Sequence, residues 1–190
     1  ALYVLVGATY GLLPPEQQAG GAPDAFYRSF AQRPTLSMIN YWAFALSAVF
    51  ALGALPAITE SVRSVNEGWA RWTSNLAYLG FAVTAIDFFR SVALQPDRAA
   101  AYVAGDASVQ AVLAAPTFAA GLDSQGWLGF GGVGLWALMT SWLAMRSKLW
   151  PNTLAYVGIA LSVLYTLVSV SLVFDMAALT QIVAALGGVV

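Results

Sequence analysis

Uninterrupted apolar runs dominate this chain of 190 residues, and they constrain its fold more than any other feature. Hydrophobic residues make up 59% of the sequence and charged residues only 9%, with a mean hydropathy of +0.72. A soluble domain carries about 25% charged residues, so this chain has too little charge to cover a water-facing surface. A bilayer crossing needs about 20 apolar residues. The sequence therefore predicts an all-α, polytopic transmembrane bundle of about five or six helices.

Turn residues and charges divide the apolar runs into spans. We expect the first run to be the tail of a span that begins before Ala1. We expect the alanine-rich residues 96–125 to form an extracytoplasmic segment at the membrane interface, with a helix broken near Pro116. A single transmembrane domain, residues 1–190, is predicted to contain two partial spans, 1–13 and 176–190, and four complete spans, 38–59, 72–94, 126–145 and 151–174.

Local signals predict where several helices begin and end. Ser37 is a suitable N-cap for the first complete span, and Pro56 is expected to kink its last turn. The run Gln95-Pro96-Asp97-Arg98 should end the next span. Pro151 suits the first turn of a helix, and Asp175 is expected to be a turn or cap residue.

Basic residues predict the orientation of the bundle. The short connectors 60–71 and 146–150 hold Arg63, Arg71, Arg146 and Lys148. The longer segments between the other span ends hold only Arg28, Arg33 and Arg98. Short cytoplasmic loops carry the excess of Lys and Arg, so we place 60–71 and 146–150 in the cytoplasm of a bacterial cell, with the spans in its cytoplasmic (inner) membrane.

Composition also excludes several kinds of chemistry. The chain has no cysteine and no histidine. It therefore cannot build a bis-histidine haem site, a conventional zinc or copper site, or a nucleophile activated by histidine. A net charge of −1 without a basic cluster argues against nucleic acid as a partner. No cofactor is required by the sequence, although a bound lipid, carotenoid or quinone could be held by aromatic side chains and backbone groups.

An ionisable pair inside a span forms the candidate polar site. Asp87 and Arg90 lie within the predicted span 72–94, and Thr84 and Ser91 share the face of Asp87. Charged groups in hydrocarbon are costly and often functional, so Asp87 could bind a proton or cation. Alternatively, the two residues form an i, i+3 ion pair that fixes helix packing. At 1.5 Å per residue, Asp87 lies on the order of 10 Å from the predicted end at Leu94, which favours the structural role.

Small residues form two candidate helix-packing motifs. Residues 129–134 read Gly-Phe-Gly-Gly-Val-Gly, a literal G-x-G-x-x-G. A dinucleotide site would also need a strand before this motif and an acid about 20 residues after it, and the sequence has a signal for neither. Glycine instead allows close approach of helices in lipid. Gly158 and Ser162 form a second small pair in the next span. The predicted packing residues are Gly129, Gly131, Gly132, Gly134, Gly158 and Ser162.

The last third of the chain resembles a known family. A glycine-containing span is followed by Arg146-Ser147, a turn with Pro151, and a span that contains Leu154, Gly158 and Tyr165. This pattern, together with Gly132 and Leu143, is similar to bacterial membrane proteins of the domain-of-unknown-function family 4386. The resemblance implies about six helices and no catalytic residue, because the family has no established activity.

The expected function follows from these features. We expect a non-enzymatic accessory or structural subunit that packs against other transmembrane subunits and lipid within a larger membrane complex, for example a respiratory or photosynthetic one. The alternative is a small proton- or cation-linked carrier that uses Asp87. A membrane-embedded enzyme is disfavoured, because no two carboxylates share a helix face.

Overall fold

A computed structural model describes residues 2–18, 21–115, 121–148, 150–174, 176, 178–179 and 182–183. This part of the chain is helical and contains no β-strand. A 3₁₀ turn covers Pro15–Gln17, and a π-helical turn, Trp127–Gly132, leads directly into α6. The α-helices are α1 (Leu2–Leu12), α2 (Pro23–Gln32), α3 (Thr35–Arg63), α4 (Glu67–Ala104), α5 (Ala107–Ala114), α6 (Val133–Ser147) and α7 (Asn152–Val173).

Four of these helices are long and apolar enough to cross a membrane, within the described residues. They are α3, α4, α6 together with its π-helical turn, and α7. The predicted partial span 1–13 forms α1, whose 11 residues extend only about 17 Å. The predicted span 176–190, Asp175 and the break near Pro116 lie largely or wholly outside the described residues. The predicted all-α helical bundle is confirmed.

The centre of the bundle is built from small side chains. A buried cluster joins α3, α4 and α6, and three of its members are alanines. Small residues let helices approach closely, so that van der Waals contacts stabilise their packing. This matters in a membrane, because lipid tails are as apolar as the helices and the hydrophobic effect does not drive the helices together. Many large apolar side chains point outward: Phe50, for example, is 66% exposed and Phe174 is 70% exposed. This arrangement suits a hydrocarbon solvent. The central cluster consists of Ala48, Leu55, Ala77, Phe81, Ala85 and Val133.

The two basic connectors lie at the same end of the bundle. Val62 of α3, Ala70 of α4, and Leu143 and Ala144 of α6 form one buried cluster beside them. Arg63 pairs there with the Glu60 and Glu67 carboxylates at 3.2 and 2.6 Å, and Arg71 pairs with Glu67 at 2.8 Å. We refer to this region as the basic end of the bundle.

The helix end predicted at residues 95–98 is wrong, because α4 continues through Pro96 to Ala104. Proline removes a backbone donor and costs about 3 kcal/mol in a helix interior. Packing beyond the proline compensates for this cost. Ala99 and Tyr102 are 1% and 4% exposed, in a cluster with Tyr27 and Phe30 of α2. Residues 96–104 are predicted from the sequence to belong to an interfacial segment, but they form the last part of α4, one of the four helices long enough to cross a membrane.

The start predicted for the first complete span is also wrong. Helix α3 begins at Thr35, and Ser37 is a buried residue inside it. The Ser37 hydroxyl donates to the Gln17 side-chain oxygen, so a tertiary partner uses the group that would otherwise cap the helix. Helix α3 also continues through Pro56 as far as Arg63, beyond its predicted end.

A short amphipathic helix, α2, occupies much of the segment between α1 and α3. Pro23 stands at its first turn, where a missing N–H costs nothing. Arg28 pairs with Asp24 at 2.7 Å on the exposed face. Tyr27 and Phe30 are 3% and 1% exposed on the opposite face, and the Tyr27 ring stacks on Tyr102 with centroids 4.8 Å apart. Helix α2 therefore packs on the extension of α4.

Candidate functional site

Asp87 joins α4 to the loop that precedes the π-helical turn. Its carboxylate oxygens accept hydrogen bonds from the Leu122 backbone N–H at 3.0 and 2.8 Å, and Oδ2 also accepts from the Asp123 N–H at 3.4 Å. Arg90 lies 3.4 Å from Oδ1. The Asp87 side chain is 22% exposed and that of Arg90 44% exposed. The carboxylate thus makes contacts across the fold that an ion pair within one helix would not require.

The hydroxyl groups predicted to share the Asp87 face bond to their own helix. Thr84 Oγ1 donates to the Gly80 carbonyl at 2.8 Å, and Ser91 Oγ donates to the Asp87 carbonyl at 2.9 Å. Thr84 and Asp87 line a common cavity, whereas Arg90 and Ser91 do not line it. The structure therefore brings together two of the four predicted polar residues.

Asp123 is a second carboxylate at this site, and it was missed in the sequence. Its Oδ2 accepts from the Leu128 N–H at 2.9 Å and from the Gly129 N–H at 2.7 Å. A carboxylate at a helix N-terminus satisfies donors that have no partner within the helix. The available signal was an acid a few residues before a glycine-rich helix start, but its proximity to Asp87 depends on the tertiary fold.

A cavity of about 220 Å³ lies beside these two carboxylates. Its polar lining includes Asp87, Asp123, Thr84 and Ser124, and aromatic and aliphatic side chains form the rest. Along α4, Asp87 is about 30 Å from Glu67, which matches the roughly 30 Å hydrocarbon thickness of a bilayer. The carboxylates thus lie at the end of the bundle opposite the basic end. We call this the carboxylate cavity.

A second cavity of about 290 Å³ lies between α1, α3, α4 and α7. Its wall is almost entirely apolar and aromatic. The polar residues Asn40 and Gln17 also line it, and the Asn40 amide donates to the Val6 carbonyl at 3.0 Å and to Thr9 Oγ1 at 2.8 Å. No sequence pattern indicates this aromatic cavity, because its rings come from separate elements: Tyr3, Tyr10, Tyr41, Phe44, Phe88, Phe130 and Tyr165.

The glycine motif packs against two helices. A Cβ atom built on Gly129 would lie 3.0 Å from Thr84 Oγ1, and one on Gly132 would lie 3.3 Å from the Leu76 carbonyl oxygen, both on α4. A Cβ on Gly131 would lie 3.4 Å from Ser169 Oγ on α7. In the opposite direction, a Cβ on Gly80 of α4 would overlap the Leu128 carbonyl. The backbone of the π-helical turn therefore approaches α4 more closely than side chains would allow.

The remaining predicted packing residues lie between α6 and α7. A Cβ on Gly134 would lie 3.0 Å from Tyr165 Cβ and 3.4 Å from the Ser162 carbonyl oxygen. One on Gly158 would overlap Ser141 Oγ. Ser162 is itself only 3% exposed. All these positions are at contacts between helices, and the part of the chain that the structure describes has no strand beside them, although a dinucleotide motif would require one.

Together, the spanning helices, the apolar outer surface and the polar contacts at one end define a polytopic α-helical membrane protein. The described residues hold no group of three or more His, Cys, Asp or Glu side chains that could bind a metal ion.

The chain belongs to the family described as Domain of unknown function (DUF4386), which matches residues 1–190. The resemblance seen in the last third thus extends over the whole chain, and limiting it to that third was wrong. No curated protein and no solved structure matches the chain.

Proposed function

We propose that this protein is a non-catalytic accessory subunit that packs against other transmembrane subunits in a larger complex of the bacterial cytoplasmic membrane. The absence of histidine and cysteine from the sequence supports a role without bis-histidine haem, without conventional zinc or copper sites, and without a histidine-activated nucleophile. The bonding of Asp87 supports it as well, because a carboxylate held by backbone N–H groups stabilises the fold.

A small-residue face on the outside of α3 carries the proposal. Gly53 and Ala57 are four residues apart, and both are exposed. A Cβ built on Gly53 would meet nothing within 4 Å, whereas Gly80, Gly132 and Gly134 are packed against neighbouring helices. Glycine costs about 1 kcal/mol relative to alanine in a helix interior. Among the described residues, no neighbouring side chain packs against Gly53 to offset that cost, but close approach of a helix from another subunit would.

Substitution of Gly53 by isoleucine tests this proposal. The new side chain points into open space, so the bundle should fold normally, but a partner helix could no longer approach closely. We expect the unmodified chain to co-purify with other polypeptides in a mild detergent, and Gly53→Ile to lose them. Val163→Ile is the matched control, since Val163 is 51% exposed on α7. Recovery of the unmodified chain only as a free monomer would overturn the accessory role.

The carrier alternative predicts a different result. A proton- or cation-linked carrier that uses Asp87 should show a pH-dependent flux in reconstituted vesicles, and Asp87→Asn should abolish it. We expect no such flux, because both Asp87 oxygens already accept bonds from the 122–123 backbone. A flux that is present in the unmodified protein and lost in Asp87→Asn would favour the carrier.

A further inference from the structure

The aromatic cavity and the carboxylate cavity are adjacent. Six residues line both of them: Tyr3, Phe44, Phe88, Phe130, Tyr165 and Leu172. Phe44 and Phe88 stack with centroids 4.3 Å apart and planes inclined by 2°, and Phe130 lies against Tyr165 with centroids 5.7 Å apart. The shared wall is therefore made of rings that pack on one another, and one elongated molecule that lies along this wall would reach both cavities.

The dimensions and lining of this pair of cavities are those of a ligand site. Small-molecule pockets begin at roughly 300 Å³ and are mostly apolar, with a few placed polar groups. The aromatic cavity alone measures about 290 Å³, and the carboxylate cavity adds the polar groups. Protein interiors leave few voids larger than a water molecule, so we expect a space of this size between membrane helices to hold an apolar ligand.

The polar side of the site offers acceptors. The Thr84 hydroxyl donates its hydrogen bond to the Gly80 carbonyl, so toward a ligand it can act only as an acceptor. Among the described residues, both hydrogen bonds to the Asp123 carboxylate are accepted by Oδ2. Because a carboxylate has about four lone-pair positions, Asp123 can accept further hydrogen bonds. Arg90 is the nearby cation, but it does not line the cavity. A group that donates hydrogen bonds and carries positive charge therefore suits the two carboxylates, whereas a quinone carbonyl, which only accepts, would have to use the Ser124 hydroxyl as its donor.

We propose that the two adjacent cavities bind one membrane lipid with a primary ammonium head. The apolar chain lies among the aromatic rings, and the ammonium N–H groups donate to Asp123 beside Asp87. Both cavities are near the level of Asp87, at the end of the bundle where the helix length places a lipid headgroup region. This site is separate from the Gly53 face of α3 and does not depend on the accessory role.

Photo-crosslinking of the full chain in vesicles tests the proposal. The probes are phospholipids with the same photoreactive acyl chain and either an ethanolamine or a choline head. Choline keeps the positive charge but has no N–H donor. We expect crosslinks within α1, α3, α4 and α7 at the cavity wall, and about tenfold more with ethanolamine than with choline, as expected for a charge-assisted hydrogen bond.

Two pairs of variants separate cavity binding from general contact with lipid. Val168 lines the aromatic cavity and is 9% exposed, so Val168→Phe should fill it and reduce crosslinking about tenfold. Val170→Phe is the matched control, because Val170 is 40% exposed on the same helix. Asp123→Asn keeps an acceptor for the Leu128 and Gly129 N–H groups but removes the charge, so it should abolish the ethanolamine preference. Asp106→Asn is its control.

The proposal is overturned by any of four results. Crosslinks confined to outward-facing residues, or unchanged in Val168→Phe, would show that lipid does not enter the cavities. Equal crosslinking by the ethanolamine and choline lipids would show that the site does not recognise the ammonium N–H groups of the lipid head. Displacement of the probe by a quinone, but not by an ethanolamine lipid, would assign the cavities to an acceptor-bearing ligand.

Discussion

The Asp87 carboxylate of α4 accepts both of its shortest hydrogen bonds, at 2.8 and 3.0 Å, from the backbone N–H of Leu122. These two residues are 35 positions apart in the chain. A Cβ on Gly121 would lie only 2.6 Å from Asp87 Oδ2, so the loop approaches closely because glycine stands there. The most conspicuous charge in the spans thus anchors the loop that leads into the π-helical turn.

Removal of this anchor should destabilise the fold. We expect Asp87→Ala to lower the free energy of unfolding by about 1–3 kcal/mol, because backbone donors of the loop lose a charged acceptor. Arg90→Gln should cost less than about 1 kcal/mol, since the Arg90–Asp87 pair is long and partly exposed. Thermal unfolding in detergent measures both variants. An equal loss for the two would mean that the ion pair, and not the loop, determines the contribution of Asp87.

Glycines in α3 and α4 should respond oppositely to alanine. Gly80→Ala places a methyl group against the Leu128 carbonyl and 2.9 Å from Val133 Cγ2, so we expect a loss of about 1–3 kcal/mol from overpacking. Gly53→Ala meets nothing within 4 Å and should stabilise the helix by up to about 1 kcal/mol. Denaturation of both variants in the same detergent provides the comparison. Similar stability of the two variants would contradict the close approach of the π-helical turn to α4.

The start of α5 should depend on pH. Asp106 Oδ1 accepts from the Ser108 hydroxyl at 2.7 Å and from the Ser108 and Val109 N–H groups at 2.9 and 3.0 Å. These bonds hold the pKa of Asp106 below its ordinary value of 3.8, the Ser108 hydroxyl contributing most. Because the pKa is lower in the folded state, the stabilisation is present above pH 3.8 and is lost as the pH falls through the lowered value.

Hydrogen exchange of residues 107–114 measures this effect. We expect protection to fall with acidification in the unmodified protein, and to be lower but independent of pH in Asp106→Ala. Asp106→Asn should keep most of the protection at every pH, since asparagine is also a good N-cap. Identical acid sensitivity in Asp106→Asn would show that another group titrates.

Cysteine labelling should establish the orientation. The chain has no native cysteine, so each single-cysteine variant carries one reactive thiol. Ser64 and Ser124 are exposed and lie at opposite ends of the bundle. The positive-inside rule predicts that a membrane-impermeant maleimide added to intact cells labels Ser124→Cys but not Ser64→Cys. The reverse pattern would place the basic end outside the cell.

Apolar composition determined the helical, membrane-embedded character of this protein. In hydrocarbon every backbone N–H and carbonyl must bond within the protein, and a helix achieves this locally. The runs that became α3, α6 and α7 were therefore readable from the sequence, as was the close packing expected of Gly134 and Gly158.

Only the tertiary structure decided the contacts between distant parts of the chain. The continuation of α4 through Pro96 depends on burial of Tyr102 against Tyr27, a pair 75 positions apart, which no local signal encodes. The partner of Asp87 and the aromatic cavity depend on the same kind of contact. The local sequence pattern determines helical backbone conformation, because the hydrogen bonds of a helix join residues that are close in the chain. The candidate sites form only where packing brings residues together that are distant in the chain.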